Sequence, residues 1–173
     1  MVMKAQLLLR LRERHARLRS TQRIRCVVIP SFDERGNLPL GIHQAAWDEI
    51  VERYAITEHR AALLERFGEA VASLSAAGCT RVYLDGSFVT DKEAPGDFDA
   101  CWEASGVDPD LLDPVLLDFS DRRAGQRARY GGELFPAQVA AEPGGTVFLE
   151  YFQRDRQTGE PKGIVALDLE ASR

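Results

Sequence analysis

Hydrophobic spacing changes period several times along the chain. Leu7, Leu8, Leu11 and Leu18 form a near-helical stripe over residues 4–20. A short apolar run, Arg25 to Ile29, is closed by Pro30. The stretch from Pro30 to Gly41 is rich in turn formers, which predicts an irregular connector wrapped over the body. Trp47, Ile50, Val51 and Tyr54 then fall at i, i+3, i+4 and i+7 and predict a helix with one buried face. Leu63, Leu64, Phe67, Val71 and Leu74 keep a helical register over 58–77, and Gly78 follows as a left-handed cap.

Beyond Gly78 the period shortens to two. Cys79 to Leu84 reads as a first core strand, residues 97–103 as a second, Glu133 to Ala137 as a third and Ile164 to Leu169 as the last. Residues 108–120 mix acids and leucines around Pro109 and Pro114 and predict short helical turns, because proline is tolerated at first helical positions. Arg122, Arg123, Arg127 and Arg129 form a basic run before Gly131-Gly132. Thr146 to Asp155 reads as a helix and Gly159 to Gly163 as a turn. Helices followed by strands interrupted by helical turns predict an α/β fold.

Composition narrows the class. At 173 residues, 45% hydrophobic and 28% charged, the chain reads as a soluble globular protein of essentially one domain. No apolar run approaches the roughly 18 residues that span a bilayer, and the charged N-terminus is unlike a signal peptide. Three cysteines (Cys26, Cys79 and Cys101) without paired spacing point to a reduced, cytoplasmic protein. His15, His43 and His59 are scattered and make no metal cluster, and the Gly-x-Ser-x-Gly hydrolase elbow is absent.

Charge is uneven. Residues 1–25 hold eight basic residues against the single acid Glu13, a net +7, which leaves −12 for the rest of a chain whose total is −5. Such a segment is a basic helical extension, either solvated and packed on the acidic body or an arm for nucleic acid. The domain proper is expected to run from 26 to 173.

The densest chemistry lies in Tyr83-Leu-Asp-Gly-Ser-Phe-Val-Thr-Asp-Lys-Glu-Ala-Pro-Gly-Asp-Phe-Asp-Ala-Cys-Trp102. Asp97 and Asp99 project from one face of a strand, with Phe98, Ala100 and Trp102 turned into a core. Adjacent carboxylates repel and resist desolvation, so packing does not explain them. A divalent cation, Mg2+ or Mn2+, removes the conflict, and a Gly86-Ser87 turn opposite offers backbone amides and a hydroxyl to phosphates. Lys92, in the loop between the two halves, is a candidate to neutralise phosphate charge, and Arg127 and Arg129 are further candidates. Asp85 reads as structural. The plainer alternative is a polar edge strand with an ordinary strand-ending turn.

Gly-Ser, a spacer and then Asp-x-Asp resembles the signature of the polymerase-beta-type nucleotidyltransferase superfamily. More closely, the segments IPSFDERGNLPLGIHQAAWDE (29–49), YLDGSFVTDKEAPGDFD (83–99), YGGELFPA (130–137) and FLEYFQRDRQTGEPKGI (148–164) resemble a bacterial family of small, poorly characterised nucleotidyltransferase-like proteins. The resemblance implies a small, mixed, twisted sheet with helices mainly on one face. It implies transfer of a nucleoside monophosphate from a nucleoside triphosphate to a hydroxyl of RNA, a protein or a small molecule. It also implies a third carboxylate, for which Glu133 is the choice and Glu150 and Asp168 the rivals. Small members of the superfamily occur in toxin–antitoxin and defence modules, which implies a cognate partner protein. The alternative is a catalytically silent module of this shape that binds a partner protein or a nucleotide as a regulator.

Overall fold

A computed structural model describes residues 29–169. The basic segment 1–25, Cys26 and the last residues lie outside the described residues, so the reading of a helical extension is neither supported nor opposed.

The described chain builds one five-stranded mixed sheet. In sequence the elements are β1 (Gly41–Gln44), α1 (Trp47–Tyr54), α2 (Glu58–Ala76), β2 (Arg81–Asp85), β3 (Phe98–Trp102), α3 (Ala124–Tyr130), β4 (Gly132–Pro136), α4 (Phe148–Tyr151) and β5 (Gly163–Asp168). Across the sheet the order is β1-β5-β2-β3-β4. The central pairs, β5 with β2 and β2 with β3, are antiparallel, and the outer pairs, β1 with β5 and β3 with β4, are parallel.

Helices α1, α2 and α3 cover one face. Ile50, Val51, Tyr54, Leu64, Phe67, Val71 and Leu74 are almost wholly buried there, against Val82, Leu84, Ala100, Trp102, Leu134, Val165 and Leu167 of the sheet. Full burial of each large apolar side chain contributes about 1.5–3 kcal/mol, so this face carries most of the stability. The α2 helix begins where Thr57 accepts the Arg60 amide at 3.2 Å and ends before Gly78 at φ +95, the left-handed cap its sequence predicts. The other face is thinner: Tyr83, Cys101, Phe135, Ile164 and Ala166 meet Phe152 and the partly buried Phe148, Leu149 and Tyr151 of α4. The expectation of an α/β fold with helices mainly on one face of a mixed sheet agrees with this arrangement.

Two elements differ from expectation, and a third, α3, forms where no element was expected. β1 lies inside what reads as the end of a connector, because its four residues pair with β5 alone and leave Ile42 45% exposed, so no hydrophobic alternation marks it. The helix expected over 146–155 is a single turn, α4, and the chain then reverses in a tight loop between Gln153 and Lys162. The basic run before Gly131 is partly helical, as α3. Residues 108–120 do form short 3-10 turns, started by Asp108 and Asp113, whose carboxylates accept amides at 3.0 Å. Among the described residues no helix is long and apolar enough to cross a membrane.

The connector from Pro30 to Leu40 is not slack. Asp33 folds it by accepting the Arg35 and Asn37 amides at 2.9 and 3.0 Å. The Gly36 carbonyl takes the Asp91 amide at 3.0 Å, and the Leu38 carbonyl takes the Gly163 amide at 2.9 Å. Asn37 donates to Asp155 at 3.2 Å. The connector thereby ties the Gly-Ser loop to the turn that leads into β5.

Candidate active site

The strand register sets the site. Asp85 is paired with Asp99 across β2 and β3, and Asp99 with Glu133 across β3 and β4. Residues directly opposed in a sheet point to the same face and stand about 5 Å apart at Cα. That face is the thinly covered one, since Asp85 shares its parity with Tyr83, Asp99 with Cys101 and Glu133 with Phe135. Three carboxylates therefore stand in a row at one end of the sheet. Asp97 lies two residues before Asp99, just outside β3, and its charge acts on Asp99.

Cations flank the row. Lys162, just before β5, places its Nζ on the Asp85 carboxylate, and both side chains are buried, 9% and 5% exposed. At the other end Arg123 Nε donates to Glu133 at 3.0 Å, Arg127 donates to the second Glu133 oxygen, and Arg123 stacks over the Phe135 ring at 4.7 Å. Arg123 closes a run of three left-handed residues, Asp121, Arg122 and Arg123 at φ 42, 50 and 61. That conformation costs roughly 1–2 kcal/mol per non-glycine residue, and the run delivers the Arg123 side chain to Glu133.

Asp97 and Asp99 are different. Among the described residues no ion pair engages either one. Burial, then the charges of Asp85, Asp97 and Glu133, push the Asp99 carboxyl up to about 7, with Lys162 opposing. Burial also pushes Asp85 up, and the Lys162 ammonium and the Gly86 amide oppose it.

Gly86 explains part of this crowding. It sits at φ +79, and a side-chain carbon there would stand 2.7 Å from Asp99 Oδ2 and 2.9 Å from the Asp99 amide nitrogen. The absent side chain makes room for Asp99, a use distinct from the close approach to phosphate expected from sequence. Gly86→Ala combines a left-handed penalty with a clash against backbone. We expect it to lower stability by at least about 2 kcal/mol in chemical denaturation. A loss under about 0.5 kcal/mol would mean that Asp99 does not pack on this turn.

Ser87 follows in the same 3-10 turn, Gly86–Val89, partly buried, with its carbonyl accepting the Thr90 hydroxyl at 2.8 Å. Lys92 is exposed, and its carbonyl accepts from Arg60 at 2.7 Å. Glu133, the chosen third carboxylate, is beside Asp99 as expected but has both oxygens engaged by arginines. The rival Asp168 pairs with Arg81, and Arg81 lies four residues back along β2 from Asp85, a separation of about 13 Å. Glu150 is exposed on α4. Arg127 reaches the row, whereas Arg129 pairs with Glu69 at 2.6 Å.

Three members escape sequence reasoning: Asp85, Lys162 and Arg123, the last singled out from its basic run by nothing in the spacing. Asp85 reads as structural because its partner strand lies beyond a loop of twelve residues, whose length leaves the register open. Lys162 sits in a turn between Gly159 and Gly163, where a lysine is ordinarily solvated, and no spacing distinguishes it.

Among the described residues no group of three or more His, Cys, Asp or Glu side chains is arranged to hold a metal ion. Glu133 and Asp85 are occupied by protein cations, which leaves Asp97 and Asp99. Two carboxylates fit magnesium, which retains waters and takes further oxygens from substrate phosphates, better than a cation that needs an all-protein cage.

No curated protein and no solved structure gives a match to the chain. A family model described as a family of unknown function, DUF6932, matches residues 30–168, a span that contains every member of the carboxylate row and both cationic flanks. The chain belongs to the DUF6932 family.

Proposed function

We propose that this protein is a metal-dependent nucleotidyltransferase of the polymerase-beta type, with its site at the Asp97–Asp99 end of the sheet. The observation that carries the reading is a pair of carboxylates that no ion pair engages, both partly buried and Asp99 set among like charges, on a face with little covering. Asp97 and Asp99 would hold Mg2+ or Mn2+. A divalent ion supplies charge for the phosphate oxygens and for both the attacking and the leaving oxygen.

The chain's own groups do the rest. The Gly86-Ser87 turn offers the Ser87 amide and hydroxyl to phosphate, with Lys92 in the same loop, while the Gly86 amide is held by Asp85. Arg123 and Arg127 stand beside the row, and Glu133 keeps them extended and aimed. Glu133 would serve as a third metal ligand only by leaving both arginines. An acceptor hydroxyl of RNA, a protein or a small molecule would bond to the α-phosphorus as the bond to the outgoing pyrophosphate breaks, its proton leaving to water. A cytoplasmic setting belongs to this reading and is supported by free, fully buried thiols at Cys79 and Cys101. A cognate partner protein, as in a toxin–antitoxin or defence module, belongs to it too.

The capture of Glu133 by two arginines and of Asp85 by Lys162 favours a second reading, a silent module of the same shape that binds a partner or a nucleotide as a regulator. Calorimetric titration of ATP, GTP, CTP and UTP, with and without Mg2+ or Mn2+, separates the two. We expect metal-dependent binding of at least one nucleotide to the wild type and at least a tenfold weaker affinity in a folded Asp97→Ala/Asp99→Ala variant. No metal-dependent binding to folded wild type would leave the silent module.

A further inference from the structure

A row of charge runs across one end of the sheet: Lys162 just before β5, Asp85 on β2, Asp99 on β3 and Glu133 on β4. Glu133 is held by Arg123 and Arg127, a group of net charge +1 at the far end of the row, and the acids that no arginine holds are Asp85, Asp97 and Asp99, with Lys162 beside them. Three carboxylates and one ammonium leave two negative charges, the charge of one divalent ion. Without the lysine the same carboxylates would carry three negative charges and call for more than one.

We propose that Lys162 is a built-in cation that stands where a second divalent metal would otherwise sit, so that this site works with one metal ion rather than two. The inference rests on the phosphoryl-transfer reading of the carboxylates and adds to it the number of ions required. Its position supports it: Nζ lies on Asp85, directly across the ladder from Asp99, and its charge acts on Asp99 as well. Burial supports it too, because lysine is rarely buried and a buried ion pair is a poor way to gain stability compared with apolar side chains of similar volume.

The backbone is organised around this residue. The Lys162 amide donates to the Gln153 carbonyl at 2.9 Å, and the next amide, Gly163, donates to Leu38 in the connector at 2.9 Å. A side-chain carbon on Gly163 would stand 2.1 Å from the Pro39 carbonyl oxygen, so the chain passes the connector too closely for any other residue. The lysine is thus delivered to Asp85 from a fixed turn. An ammonium has three donors and a full charge, enough to hold Asp85 and meet a phosphate oxygen, but it cannot activate a coordinated hydroxyl as a metal does. The one metal at Asp97 and Asp99 would retain that task.

The test is a count of bound Mn2+ per chain, by the loss of the free-ion electron paramagnetic resonance signal. Wild type is compared with Lys162→Ala, which opens the space, and Lys162→Gln, whose amide still donates to Asp85. We expect one ion in wild type and one more in a lysine variant. An unchanged count in both variants, or two ions in wild type, overturns the proposal. Should a variant be unfolded in EDTA, the count is made on the protein refolded in Mn2+, where two ions support the proposal and one overturns it, and failure to refold counts against it. A wild-type count of zero removes the metal-dependent function, while the difference between variant and wild type still judges Lys162.

Discussion

Asp99→Asn is expected to stabilise the metal-free protein at pH 8 and, under the proposed metal-dependent function, to abolish the response to metal. In an unfolded chain an aspartate titrates near 3.9, whereas in the fold Asp99 is pushed up to about 7 by burial and by Asp85, Asp97 and Glu133. Between those values the folded state binds more protons than the unfolded one, so metal-free stability falls as pH rises from about 4 to about 7 and is level above. Three pKa units set a ceiling of about 4 kcal/mol on the penalty at pH 8, and neighbouring titrations reduce it, so a gain on the order of 2 kcal/mol is expected. For a chain of this size that is a rise of roughly 4–8 °C in melting temperature in EDTA. At pH 4 the two proteins should melt alike. Mn2+ should then raise the melting temperature of wild type at pH 8 and leave the variant unmoved. A variant less stable than wild type in EDTA at pH 8 would show that the carboxylate makes favourable contacts, and the case for an unneutralised site would fail.

The parts of this site that were legible in sequence are those fixed by local spacing. Asp97 and Asp99 stand out as a close pair of acids at the start of a strand-like run, and the turn at Gly86-Ser87 closes the preceding strand. The helices α1 and α2 are legible because long apolar stripes at helical period leave no other face to bury. What was hidden depends on register and on turns. Asp85 faces Asp99 only because β2 and β3 pair as they do, and a twelve-residue loop does not specify that pairing. Lys162 and Arg123 reach the row from irregular segments, one a tight reversal and the other a left-handed run, and neither leaves a periodic trace. β1 was hidden for a different cause: an edge strand of four residues with one exposed isoleucine has no hydrophobic pattern to read. The consequence for chemistry is that three of the four acids of the site were visible, Asp85 being the exception, and most of their neutralising cations were not.

Arg60→Met is expected to be the most destabilising single change at the site's periphery. Arg60 is the third residue of α2, where a positive charge opposes the helix dipole, and it is 1% exposed. Among the described residues no carboxylate pairs with it. Its guanidinium is held by carbonyls: Nε donates to Tyr54 at 2.9 Å, one terminal nitrogen to Lys92 at 2.7 Å and the other to Phe88. The Phe88 ring stacks beneath it at 4.7 Å, and the neighbouring His59 ring nitrogen meets the Pro95 carbonyl at 2.5 Å. The end of α1 and the whole loop from Gly86 to Asp97 are thereby fastened to one helix start. Methionine matches much of the stem but leaves three carbonyls without donors, each a loss of roughly 1–3 kcal/mol if it stays dry. We expect at least about 3 kcal/mol, a fall of roughly 10 °C in melting temperature, and new protease cleavage within 86–97. Arg60→Lys should recover less than half of the loss, because one ammonium cannot span carbonyls placed for a planar fork. A methionine variant within about 1 kcal/mol of wild type, with the loop still resistant to protease, would mean that the loop is held by its apolar anchors Phe88 and Val89. The distinction bears on function, because a loop released from Arg60 carries Ser87 and Asp97 with it. Under the proposed nucleotidyltransferase reading, a folded Arg60→Lys protein should then lose nucleotide affinity, although Arg60 itself is held by carbonyls of Tyr54, Phe88 and Lys92 and not by the carboxylates of the row.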